Sequence, residues 1–290
     1  AIPSEYKDIY TLVDHQEILD RLETKNRDFV AVISFQKGCM NSALFCQEVV
    51  KYLLLTHPKR FTLYEHSRVH KVLLHKEYAV LDVEKHTVDA LRVVLCTNGF
   101  EDLHIVNNNG LEVDAKYHHL IQGKVGYMSS YVEELNKPPI AISYYIDPSA
   151  RMDSDYVYLT RRPYENVAVP NHNLISVGGP TIDIEHTSEY AYEDDFPEAA
   201  EKKLDEFVHQ VYDLEPGKKI EYVYTWHGLM GYTKNGVRLI GTEPKNPILL
   251  YNLGCNGVGI LPSIHGGRVI ARHIAGEKVE KSIFDIPAQY

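Results

Sequence analysis

The feature that most constrains this chain is the stretch ILLYNLGCNGVGI at residues 248–260. An apolar, β-forming run from Ile248 to Leu253 ends in Gly254, Gly257 and Gly259, and a helical apolar period then runs to Ala275. The segment therefore predicts a buried strand, a tight turn and a helix. Such a turn frees the first N–H groups of the helix, adds the positive end of the helix dipole, and lets a flat or anionic group reach the backbone. A dinucleotide fingerprint does not describe it. The order is G-x-x-G-x-G, and the fifteen residues after Ala275 leave no room for another strand with its acidic residue about 20 positions on. Glu277 lies at about that distance, but beyond the helix with no strand to carry it. The plainer alternative is that the glycines only bring the helix close to a sheet.

Composition narrows the function classes. With 290 residues, 44% hydrophobic and 24% charged, the chain can build one large core or two modest ones. Thirty basic against forty acidic residues leave a net charge of −10, which disfavours nucleic acid and anionic membranes as partners. No 18-residue apolar run, signal peptide or repeat is present, so no integral membrane segment is expected. Cys39, Cys46, Cys96 and Cys255 have no C-x-x-C spacing and are expected in or beside buried elements, as reduced thiols of a cytoplasmic protein.

Taken in order, Asp14 and Glu17 have capping-box spacing and predict a helix over 15–24, followed by a strand over 29–35. Asn41 and Ser42 can cap a second helix whose Phe45, Val49, Tyr52 and Leu53 share a face, and Pro58 stops it. Residues 61–66, 69–74, 78–83 and 91–96 read as four strands. Strand-like runs over 120–131, 139–145, 155–161 and 174–177 predict a second, largely antiparallel sheet. Residues 195–212 form an amphipathic helix through Ala200, Leu204, Phe207, Val208 and Val211, closed by Glu215-Pro-Gly. Residues 220–225 are a strand, and the Asn235-Gly236 turn pairs residues 237–240 with what precedes it. His66, His70 and His75 do not share a strand face, and the adjacent His118 and His119 diverge in extended chain, so no metal site is expected.

The stretch WHGLMGYTKNGVRLIG at 226–241, the run LYNLGCNGVGILP at 250–262 and Gly266-Gly267 together resemble the C-terminal end of the FAD-dependent oxidoreductases of the D-amino-acid oxidase, sarcosine oxidase and glycerol-3-phosphate dehydrogenase superfamily. Further matches are VVLCTNG at 93–99, EHSRV at 65–69, and YVYLTRRP at 156–163 followed by LISVGGP at 174–180. The resemblance implies FAD as cofactor, with Gly254, Asn256, Gly257, Gly259 and Ile260 beside the flavin, and Val69, Asn98 and Gly99 near the dinucleotide. It implies a mixed α+β or α/β fold. An incomplete FAD-binding, Rossmann-like domain (1–116 and 217–290) would carry an antiparallel-sheet substrate domain (117–216). The G-x-G-x-x-G strand and helix with which the family opens are absent from these residues. That implies the C-terminal part of a longer protein, a separate nucleotide-binding chain as partner, or loss of the cofactor, with the first preferred.

Flavin chemistry asks the protein for position and field rather than for a reactive side chain. Arg161 or Arg162 could clamp a substrate carboxylate through paired hydrogen bonds, although on one strand they face opposite sides. His227, beside Trp226, suits proton transfer near neutrality, and Tyr158 could line the pocket. Packing roles compete at each of these positions. The leading expectation is an FAD-dependent oxidoreductase acting on the C–N bond of a small amine or amino acid. The alternative is a cofactor-free binding or assembly module of the same descent, or a fragment inactive alone.

Overall fold

Local sequence chemistry accounts for the ends of the first two helices. In this computed structural model, which describes residues 13–32, 39–134, 137–145, 156–164, 171–212, 214 and 218–286, Asp14 caps α1 (His15–Leu22) by accepting from the Glu17 N–H. Asn41 caps α2 (Ser42–Thr56) by accepting from the Leu44 N–H at 3.1 Å. The first helix buries Ile18, Leu19 and Leu22, whereas the second buries no residue. Of the face predicted for it, Phe45, Val49 and Tyr52 are 37%, 42% and 59% exposed and Leu53 is partly covered, so most of that apolar face lies bare.

Three sheets follow. The first has the order β3-β2-β1-β5, built from β1 (Val69–Leu74), β2 (Ala79–Val83), β3 (His86–Ala90) and β5 (His104–Asn107). β1 to β3 form an antiparallel meander and β5 lies parallel to β1. The third strand of the meander is His86–Ala90, while residues 61–66 form no strand, because β propensity makes a ladder only where a neighbour offers one. Residues 29–32 likewise form no strand, and the rest of that expected strand, with the Glu215-Pro-Gly stop, lies outside the described residues.

The five-stranded sheet has the order β10-β6-β9-β8-β7, from β6 (Ile121–Glu133), β7 (Ile140–Tyr144), β8 (Val157–Pro163), β9 (Asn173–Asp183) and β10 (Tyr222–Thr233). β7, β8 and β9 pair antiparallel. The three-stranded sheet runs β11-β12-β4, from β4 (Val93–Leu95), β11 (Leu239–Thr242) and β12 (Leu249–Leu253), with β12 parallel to β4. Asn235-Gly236 does turn the chain, with Gly236 in the left-handed region at φ 70°. The strand after it nevertheless pairs with β12 and not with β10. Against β12 its Leu239 and Ile240 are both buried, in the clusters on opposite faces of the sheet. The described residues also form α4 (Glu198–Tyr212), α5 (Ile260–Ile274), the short α3 (Asp114–Tyr117) and a 3-10 turn at Thr187–Glu189.

Two compact units result. One comprises residues 1–40, 127–180 and 195–227, the other 41–126, 181–194 and 228–290. In the first, α4 lays Leu204, Phe207, Val208 and Val211 on Val157, Leu159, Ile175 and Val177 of the sheet, with Ile18 and Leu22 of α1 in the same cluster. In the second, Val72, Leu74, Leu95, Ile105, Tyr117, Leu249, Tyr251 and Leu253 form the core. Lys116 and Glu243 are buried together there, 2.8 Å apart, and the Tyr251 hydroxyl donates to the same carboxylate. No helix among the described residues is long and apolar enough to cross a membrane. All four cysteines are free, but Cys46 and Cys96 are exposed rather than packed away.

Candidate functional site

The second unit places the turns that follow two parallel strands side by side. β4 and β12 are neighbours in one sheet, and both run into glycine-bearing turns, at 96–99 and 254–259. The carboxyl ends of adjacent parallel strands are where open α/β sheets bind ligands. Gly231 of β10 joins the turns, for its N–H donates to the Asn98 Oδ1 at 3.0 Å and its carbonyl accepts from the Asn256 N–H at 3.1 Å. A Cβ at Gly231 would lie 2.5 Å from the Asn98 carbonyl oxygen, so only glycine fits. Both asparagines are left-handed, at φ 55° and 47°, and both turn their amides onto β10. Asn98 Nδ2 donates to the Leu229 carbonyl, and Asn256 Oδ1 accepts from the Thr233 N–H at 2.8 Å. Gly99 packs against Leu229 and Met230. The side chains of Asn98 and Asn256 thus hold the two turns in shape.

The mouth of α5 is open. Gly257 and Val258 are exposed, Gly259 is only partly covered, and no side chain caps the helix. Pro262 has no N–H to satisfy, so the free amides of the first turn belong to residues around Gly259, Ile260 and Leu261. Farther along, a Cβ at Gly266 would come within 2.3 Å of Asn252 Oδ1, so that glycine serves the close packing of helix on strand. Glycine packing and an open turn therefore coexist in one element.

Behind the turn lies Arg238, 8% exposed, which sequence reading did not single out. Its Nε donates to Asn252 Oδ1, Nη1 to the Gly254 carbonyl, and Nη2 to the Asn252 carbonyl and to Ser263 Oγ. One guanidinium thereby ties the end of β12 to the first turn of α5. Burial lowers its pKa, opposed by the nearby thiols of Cys255 and Cys96, yet arginine remains charged. Among the described residues no carboxylate pairs with it, so its charge adds to the positive end of the helix. The available signal was an arginine inside an otherwise apolar strand pattern, VRLI at 237–240.

Glu101, also missed, follows the turn after β4. Its Oε1 is buried with no hydrogen-bond partner among the described residues, and burial, with Asp102 adding to it, pushes the carboxyl up to about 8. Val69 begins β1, beside a break in its register with β2, and packs against the core of this unit.

The substrate-side candidates stand in the first unit. Arg161 and Arg162 face opposite sides of β8, the first buried and the second partly exposed. Arg161 is 2% exposed, and its guanidinium holds both oxygens of Glu23, at 2.8 and 2.6 Å, and the Pro138 carbonyl at 3.0 Å. Glu133 lies 3.9 Å away. A clamp needs donors facing a pocket, and these are committed to the fold. The Glu23 carboxyl is held below its ordinary value by that hydrogen bond, against the raising effect of burial. Arg162 stays on the other side of the strand, donating weakly to the Pro163 carbonyl at 3.4 Å. Tyr158 lies over Gly178, its partner on β9, where a Cβ would meet the ring at 2.5 Å. Trp226 is 43% exposed, and His227 is partly buried with its ring 5.9 Å from that of Tyr127.

Glycine turns at two parallel strand ends, an uncapped helix mouth and a buried cation behind it are features suited to an electron-rich group. The chain belongs to the FAD dependent oxidoreductase family, whose sequence profile matches residues 4–273. Similar solved structures include L-proline dehydrogenase from P. horikoshii, at TM-score 0.57 and 14% identity, covering 82% of this chain and 58% of that one. Glycine oxidase from Geobacillus kaustophilus matches at TM-score 0.53 and 17% identity, covering 79% and 54%. Fructosyl amine:oxygen oxidoreductase (Amadoriase I) from Aspergillus fumigatus matches at TM-score 0.51 and 15% identity, covering 75% and 48%. At these identities the likeness establishes the fold. The chain spans about half the length of these proteins. No curated protein matches it in sequence.

Proposed function

We propose that this chain is the flavin-ring and substrate portion of an FAD-dependent oxidoreductase that oxidises the C–N bond of an amino acid or related small amine. The observation that carries the reading is the open, uncapped turn at Gly257–Ile260 with the unpaired charge of Arg238 behind it. The residues present fit the electron-rich edge of an isoalloxazine, because free amides, a helix N-terminus and a buried cation all favour negative charge at one place. FAD, when bound, supplies the acceptor for the substrate's hydride. What the chain's own residues do is position and field. Arg162 and Tyr158 hold a substrate carboxylate, His227 takes the amine proton so that the neutral amine is the donor, and Trp226 shields the pocket from water. Arg161 has no part in this reading, since Glu23 already occupies it.

The names of similar folds support the substrate class: glycine oxidase, L-proline dehydrogenase and a fructosyl amine oxidoreductase all act on carbon–nitrogen compounds. The bare apolar face of α2 supports a further part of the proposal, that a nucleotide-binding segment or chain docks there in the working protein. Titration of FAD into the chain, followed by flavin fluorescence, tests the reading. Weak, saturable quenching that Arg238→Met reduces is expected, and anaerobic addition of small amino acids should bleach the bound flavin. Absence of quenching at millimolar FAD would sink the flavin site and leave the assembly-module reading, while bleaching by glycerol phosphate but not by amines would move the substrate to an alcohol.

A further inference from the structure

The second unit also gathers three metal-ligating side chains, none of them in the glycine turns. Asp114 opens α3 and His118 caps its other end, an i, i+4 pair, while His104 begins β5. His104 Nδ1 lies 3.6 Å from Asp114 Oδ2, and His118 Nε2 lies 3.6 Å from Asp114 Oδ1. The three ligand atoms are all within 4.8 Å of one another. These separations are too long for hydrogen bonds, so the groups converge without satisfying each other. Bonds of about 2.1 Å from a tetrahedral ion to nitrogen and oxygen would set ligand atoms about 3.4 Å apart, close to the 3.6 Å from each histidine to the Asp114 carboxylate.

The scaffold under the cluster is rigid. Val113 and Tyr117, one position before each helical ligand, are fully buried in the core and fix the turn from its inner face. The Tyr117 hydroxyl is tied to Thr97 and to the Phe100 carbonyl. Asp114 Oδ1 accepts from the Ile105 N–H at 2.5 Å, which orients the carboxylate and leaves Oδ2 toward His104. His104 is well exposed, so its ring can turn onto an ion and leave a coordination position to water.

We infer that His104, Asp114 and His118 form a site for a divalent transition-metal ion of the zinc type. Two imidazoles and one carboxylate select such ions over magnesium or calcium, which demand oxygen ligands. The site holds the β5–α3 connection.

Calorimetric titration of ZnCl2 into the chelator-treated 290-residue chain should show one strong site, with MgCl2 giving none in the same range. His104→Ala, a surface change that leaves the core untouched, should weaken zinc at least about tenfold, and His118→Ala as much or more. His119→Ala, at the neighbouring exposed position, should leave binding unchanged. Zinc should also raise the melting temperature of the wild type but not of His104→Ala. Zinc binding that survives both His104→Ala and His118→Ala, no zinc binding by the wild type, or equal binding of magnesium would each overturn the assignment.

Discussion

Each compact unit buries an arginine, and the two are handled in opposite ways. Arg161 in the first is neutralised by Glu23, through two charge-assisted bonds, with Glu133 nearby. Arg238 in the second is met, among the described residues, by carbonyls, an amide oxygen and a hydroxyl. A paired charge has little field beyond its partner, while one solvated by neutral dipoles keeps its field and projects it along the helix mouth. The first arrangement fastens α1 to the sheet through a residue 138 positions away, and the second ties the end of β12 to the first turn of α5 without cancelling the charge. Burial alone therefore does not tell a structural arginine from a functional one; the charge of its partners does.

Substitutions can break this contrast, and the largest effect should come from Glu23→Gln. It leaves the Arg161 charge buried with only Glu133 at 3.9 Å, and should cost about 3 kcal/mol in urea denaturation, with no loss of flavin affinity. Arg238→Met should cost about 2 kcal/mol by the same measurement, from orphaned acceptors on Asn252 and Gly254, and should weaken flavin binding as well. If it left flavin affinity untouched, the field argument would fail even with the fold intact.

The carboxyls of the two units carry opposite pH signs. Glu23 is lowered from its ordinary 4.5, so its stabilisation is in place above that value and fades as pH falls through the lower folded value. Glu101 is raised to about 8, so the fold is favoured below 4.5 and penalised progressively as pH rises toward 8, where the unfolded chain alone is ionised. Urea midpoints from pH 3 to 9 should show Glu101→Gln gaining on the wild type up to about pH 8, and Glu23→Gln converging with it at the acid end. The smallest effect belongs to Arg162→Met, which should change stability by no more than about 0.5 kcal/mol while raising KM for a carboxylate substrate. A KM unchanged by this variant would remove Arg162 from the substrate side.

Much of the architecture is legible without coordinates because it rests on short-range rules. The Asp14 and Asn41 caps, the buried face of α4 and the strand, glycine turn and helix at 248–274 all stand where spacing and capping chemistry put them. The strands His86–Ala90 and His104–Asn107 escaped, since both are short and half polar, and a neighbour rather than a pattern makes them strands. The partner of β11 escaped for the same reason.

What the sequence by itself determined is which residues can form helices, turns and buried faces, and that glycines would open the mouth of α5. Only the tertiary structure decided where charge is spent. Glu23 finds Arg161, Arg238 finds no carboxylate among the described residues, Asn98 and Asn256 meet on Gly231, and His104 joins Asp114 and His118. Helical periods and caps reach only a few residues along the chain, whereas the energy of a buried ion depends on everything within several ångströms of it in space.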